Sequence, residues 1–234
     1  RARAMITLEP DGLAADDTLR FVVPAEEALR VAVVAPTDAG PEETLFLERA
    51  LGIGRAPRFA MERRAAGSLS QSGLRAVSAV VLFDVPVPAG PAGNALTEWV
   101  NAGGGVVMAA GRRVASRGSA SPLMPGEVHG LAERMDDRGG VVGEVSPDHP
   151  IFTPFAGNGA AILGAARFLR YPKVTTDSGA VVLARFDDGL PLLVEQAVGA
   201  GHSLLLAAPL DAVAGDFPLQ PAFLPFLRRL ILHV

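Results

Sequence analysis

The chain has 234 residues, of which 49% are hydrophobic and 20% charged, a globular composition that excludes intrinsic disorder. Its 21 Lys and Arg against 25 Asp and Glu leave a net charge of -4, which speaks against a nucleic-acid partner, since phosphate binding needs a basic surface. The absence of cysteine excludes disulfides, thiolate-bound zinc, iron–sulfur clusters and a Cys nucleophile.

Two short β-like runs come first, Ile6–Glu9 and Thr18–Val23, with a turn signal at Pro10-Asp11-Gly12 between them. An isolated two-stranded piece is marginal in water, so this hairpin must dock on something else. From Leu29 the rhythm changes. Leu29–Ala35, Ala79–Phe83 and Val106–Ala109 are continuous apolar runs, the pattern of parallel strands covered on both faces. Arg58–Arg63 is a weaker strand. Between them, helices are expected over Glu42–Leu51, with Pro41 at the first turn, and over Asn94–Ala102, stopped by Gly103-Gly104-Gly105. This β-α-β-α-β alternation predicts a parallel α/β sheet with right-handed crossovers.

The stretch Gly111–Gly130 is rich in Arg, Ser, Gly and Pro and reads as an exposed or mobile excursion. Val141–Val145 reads as an edge strand, and Asp148-His149-Pro150 as a turn before the apolar anchor Ile151-Phe152. Ala180–Phe186, Leu192–Ala197 and Ser203–Ala208 form a β meander, turned by Asp187-Asp188-Gly189 and Gly199-Ala200-Gly201. A last helix runs from about Pro221 to His233. No apolar run approaches the roughly 20 residues that span a bilayer, and Ala222–Val234 is broken by Arg228 and Arg229. The start has neither an initiator Met nor a signal-peptide core, so the chain reads as a piece of a longer protein.

Few residues stand out as chemical. Gly103-Gly104-Gly105 precedes a strand, whereas phosphate loops follow one, so these glycines read as a helix stop. Asp84 ends a buried strand, where doubly wound sheets place their ligand crevice. Arg112 and Arg113 follow the third strand and could hold an anion there. Of the four histidines, none forms a metal-binding pair in sequence, so no metal or other cofactor is expected; His149 is the candidate for the crevice. Asp136-Asp137 and Asp187-Asp188 read as solvated turns, and Trp99 as core.

Asp84-x-Pro86, Glu98-Trp99-Val100-Asn101-Ala102-Gly103-Gly104-Gly105 and Gly111, in this order among the strands, resemble the class I glutamine amidotransferase-like fold. The resemblance implies a flavodoxin-like three-layer α/β/α domain over residues 27–234, with a loop insertion at about 111–150. It also implies a Gly-x-Cys-x-Gly nucleophile elbow, here degenerate at Ala109, Ala110 and Gly111. Arg185–Pro191, Val198–Gly201 and Pro218–Phe223 further resemble the C-terminal region of bacterial aerotolerance-type (Bat-like) membrane proteins, which carry a von Willebrand factor A-like domain. Asp11–Asp17 resembles the end of an Ig-like segment, making residues 1–26 a β extension.

These resemblances imply a catalytically dead module on the extracytoplasmic side of a membrane-anchored protein, binding protein partners or other domains of its own chain. A small-ligand sensor, for a sugar or an anion, is the alternative. A serine hydrolase using Ser116, Ser119 or Ser121 is a distant third.

Overall fold

A computed structural model describes residues 2–9, 17–23, 27–54, 56–117, 121–135, 139–157 and 159–234. The turn at Asp11-Gly12, the pair Asp136-Asp137 and Ser119 lie outside the described residues.

The N-terminal strands β1 (Ala2–Thr7) and β2 (Thr18–Val23) pair antiparallel as a separate two-stranded sheet, with Ile6 opposite Leu19 and Ala4 opposite Phe21. The main sheet begins with β3 (Leu29–Val34), continues through α1 (Pro41–Gly52) to β4 (Phe59–Arg64), and through α2 (Gln71–Leu74) to β5 (Ala79–Phe83). Helix α3 (Gly90–Asn101) then leads to β6 (Gly105–Ala109). Every residue of β5 and β6 is buried, as their unbroken apolar runs require of strands covered on both faces.

Beyond β6 the described residues of the expected exposed or mobile excursion are instead regular and partly buried. It holds α4 (Arg112–Arg117) and β7 (Gly126–Glu133), with Leu123 and Met124 buried between them. Strand β7 pairs antiparallel with β9 (Arg170–Thr176) in a second small sheet packed on α4. The edge strand β8 (Val142–Val145) is where the apolar run placed it. A short 3-10 helix follows at Pro150–Phe155, burying Ile151 and Phe152, and a single turn of helix, α5, spans Gly159–Leu163.

The meander is β10 (Val181–Phe186), β11 (Pro191–Val198) and β12 (Gly201–Leu206). The full order is β4-β3-β5-β6-β12-β11-β10-β8. Strand β12 runs parallel to β6 on one side and antiparallel to β11 on the other, so it joins the parallel half to the meander. Right-handed crossovers put α1 on one face of the sheet and α2 with α3 on the other. The last helix, α6 (Phe223–His233), packs beside α1. The result is a three-layer α/β/α domain of the flavodoxin-like kind. Aromatic rings fill the junction of meander and α6: Phe168 lies 5.2 Å from Phe186, and Phe217 lies 5.5 Å from both Phe168 and Phe226.

Candidate functional site

The C-terminal ends of β3, β5 and β6 open onto a cleft of about 620 Å³. Its walls are Pro36, Pro86 and Pro88 with neighbouring Val and Ala residues, and its polar groups come from Thr37, Asp38, Asp84, Arg113 and Arg117. Such a place at strand ends is where open α/β sheets receive ligands.

Asp84 organises it. The residue has φ of +46°, the only left-handed non-glycine backbone among the described residues. Aspartate tolerates this conformation better than most residues because its short carboxylate bonds locally. Its backbone N–H donates to the Ala109 carbonyl at 2.8 Å, tying the end of β5 to the end of β6. Its carboxylate accepts the backbone N–H groups of Gly111 (2.9 Å), Arg113 (3.1 Å) and Val114 (3.0 Å), which are the free donors at the start of α4. This close seat needs glycine at 111, where a Cβ would lie 2.7 Å from the Asp84 carboxyl carbon.

Arg113 is equally committed. It makes a two-pronged pair with Glu43 at 2.7 and 3.3 Å, and stands 3.7 Å from Asp84 and 3.6 Å from Asp38. The Arg113 guanidinium, through its hydrogen bonds, holds the Glu43 carboxyl below the usual range, and Glu43 in turn raises Arg113. Three carboxylates therefore surround this one guanidinium. Arg112 points out to solvent and does not line the cleft.

The expected degenerate elbow takes a different form from a reactive turn. Ala109 and Ala110 are 3% and 1% exposed and face the core rather than the cleft. The sharp backbone lies one strand away, at Asp84. The two serine candidates among the described residues are also occupied: the Ser116 hydroxyl donates to the Arg113 carbonyl, and Ser121 accepts the N–H of Leu123.

His149 does not join Asp84 and Arg113. It sits at the N-terminal end of the parallel strands, on the opposite side of the sheet's length. There it meets three residues that sequence reasoning did not single out as a site. His149 Nε2 lies 3.3 Å from Glu195 Oε2, while His202 Nδ1 and His233 Nε2 lie 3.0 and 2.6 Å from Glu195 Oε1. The hydrogen bond from His233 first, and then the charges of His233, His149 and His202, hold the Glu195 carboxyl down at about 2 against the opposing effect of burial. Burial lowers His149. One signal was available: Glu195 faces Leu204 across the β11–β12 hairpin, which puts His202 on the neighbouring diagonal.

No family model matches the chain, and no curated protein matches it either. Solved structures do. Two Salmonella typhimurium proteins, each named as cytoplasmic, are 17% and 16% identical with TM-scores of 0.68 and 0.67; each alignment covers 88% of this chain and 99% of theirs. A putative ThuA-like protein from Bacteroides uniformis is 11% identical with a TM-score of 0.58, over 90% of this chain and 95% of that one. Likeness at this identity establishes the fold, and it is that of the amidotransferase-like, flavodoxin-like class. The expected extracytoplasmic placement in a membrane protein is corrected by these findings. The two Salmonella neighbours are named as cytoplasmic, and no helix of the described residues is long and apolar enough to cross a membrane.

Proposed function

We propose that this chain is a non-catalytic regulatory module, and that its strand-end cleft binds a small, uncharged, hydroxyl-rich molecule such as a sugar. The observation that carries this reading is the engagement of Asp84 by three backbone N–H groups. Oδ1 accepts two of them and Oδ2 one, and Oδ2 also stands 3.7 Å from the Arg113 guanidinium, so the carboxylate is held by its own chain rather than turned toward a substrate proton, as a general base must be. Arg113, ringed by Glu43, Asp38 and Asp84, has no net positive charge to offer an anion. The prolines give a preformed wall, and Asp38, which meets Arg113 through Oδ1 at 3.6 Å and has 76% of its side chain exposed, presents acceptor oxygen at the rim. Kinship with the aerotolerance-type, von Willebrand factor A-associated proteins belongs to this proposal and rests on the turns around Asp187-Asp188-Gly189 and Gly199-Ala200-Gly201.

Thermal melts against a panel of neutral sugars and small anions test it. A ligand at about 100 times its Kd adds roughly 2.7 kcal/mol, which moves the Tm of a domain this size by about 5–10 °C. A shift with a sugar that disappears in Asp38→Ala supports the reading. A shift with anions alone, or turnover of ester, amide or glycoside substrates that is lost in Asp84→Asn, overturns it.

A second reading, docking of a protein, is favoured by the N-terminal hairpin. Ile6, Leu8, Leu19 and Phe21 are 53%, 63%, 61% and 40% exposed. The register places Ile6, Leu19 and Phe21 on one face, an apolar stripe of the kind that marks contact surfaces.

A further inference from the structure

Three of the chain's four histidines, from three separate segments, converge on the carboxylate of a fourth segment. His149 precedes the 3-10 helix, Glu195 lies within β11, His202 opens β12, and His233 ends α6. Glu195, His149 and His233 are only 15%, 16% and 17% exposed at their side chains, whereas His202 is 44% exposed. The His149 and His233 rings stand edge to face with centroids 4.5 Å apart. One nitrogen from each of these two rings and one Glu195 oxygen all lie within 4.8 Å of one another.

We propose that His149, Glu195 and His233 bind one divalent transition-metal ion of the Zn²⁺ class, with His202 at the solvent side as the partner that orients Glu195. The donor set carries the proposal. Two imidazoles and one carboxylate, with an accessible fourth position, is a set that zinc accepts readily, and it suits Co²⁺ and Ni²⁺ as well. Hard cations such as Mg²⁺ and Ca²⁺ prefer oxygen shells and are not favoured here. Ligand atoms on tetrahedral zinc stand about 3.3 Å apart, given bonds of about 2.0–2.1 Å, so the present spacing needs only small side-chain adjustments.

The groups are also held in place. Glu195 is fixed by strand pairing on both sides, and His233 follows the buried Leu230 and Ile231 of α6. Binding through Nε2 moves the ring hydrogen of His149 to Nδ1. This exchanges the 3.3 Å hydrogen bond between Nε2 and Glu195 for the metal bond, and gives up the long 3.4 Å cap that Nδ1 accepts from the Ile151 N–H. The site lies at the far end of the strands from the Asp84 cleft, so it stands independently of the sugar-binding reading.

The test is titration of the chelator-treated 234-residue chain with Co²⁺. The expected result is visible d–d absorption that saturates at one equivalent, is bleached by Zn²⁺, and accompanies a rise in Tm. His149→Gln and His233→Gln should each weaken uptake by more than about 100-fold, beyond the usual loss for an outer partner, and His202→Gln by about 10-fold. The wild-type spectrum needs no variant to fold, and far-UV circular dichroism confirms the fold of each variant. No saturable Co²⁺ or Zn²⁺ uptake by the wild type overturns the proposal. So does uptake unchanged in folded His149→Gln and His233→Gln, which would place the ion elsewhere.

Discussion

Tyr171 is the chain's single tyrosine, so its ionisation can be followed by absorbance without assignment. The residue is fully buried, stacks on Phe186 at 3.8 Å, and donates its hydroxyl to Asp188 at 2.6 Å. Burial first, and then the Asp188 carboxylate, push the phenol up to about 12 from an ordinary 10. The unfolded chain therefore loses this proton before the folded one does. Stability from this group is complete below pH 10 and is lost as the pH rises from 10 to 12. An ultraviolet titration should find the midpoint near 12, and Asp188→Asn should bring it down; a midpoint near 10 in the wild type would contradict the buried pair. Asp84 gives a second expectation. Asp84→Ala strands three N–H groups and puts alanine in a left-handed conformation, costing about 2–4 kcal/mol in a urea titration. Asp84→Asn keeps one oxygen and tolerates the same backbone, so it should cost about half as much. Equal losses in the two variants would show that the acceptor count is not what matters.

Elements differ in how plainly their residues announce them. The runs at Ala79–Phe83 and Val106–Ala109 are legible because a strand covered on both faces has only one composition available to it. The helix stop after α3 is legible too. Gly103 takes φ of +110°, and the N–H groups of Gly103 and Gly104 close back on Val100 and Trp99. A Cβ on Gly104 would run into the Trp99 ring, so Gly104→Ala should cost about 1–3 kcal/mol. Trp99 is the only tryptophan, so the same variant should shift its fluorescence emission; an unshifted spectrum would mean the ring has room to move. Strands β7 and β9 escape the sequence for physical reasons. Pro172 sits inside β9, which is tolerated because this strand pairs on one side only, and β7 carries a register shift between Val128 and Leu131. Helix α4 is six residues long, too short to show a period. The cleft is half legible. The strand-end rule finds Asp84, yet nothing in the sequence shows that three amides consume it. Of the histidine cluster only the Glu195 and His202 diagonal of the β11–β12 hairpin is legible, because His149 and His233 come from distant segments and meet it only when the sheet closes.

At the scale of the whole molecule, pairing β6 with β12 sets the order of synthesis against the order of the sheet. Strands β3 to β6 emerge together, but the neighbour that covers the outer edge of β6 starts at Gly201. At about 5–20 residues per second, on the order of 5–20 s of translation separate the two. During that interval a strand made of Val106, Val107 and Met108, which is buried in the finished domain, offers unpaired N–H and C=O groups to any passing chain. Residues 27–117 expressed alone should therefore aggregate, and co-expression of residues 121–234 should recover soluble material. Solubility of the first piece by itself would contradict this. In the cell, the newborn first half needs an escort until its second half arrives, and its yield should rise with the supply of holding chaperones more than with any gain in the stability of the finished fold.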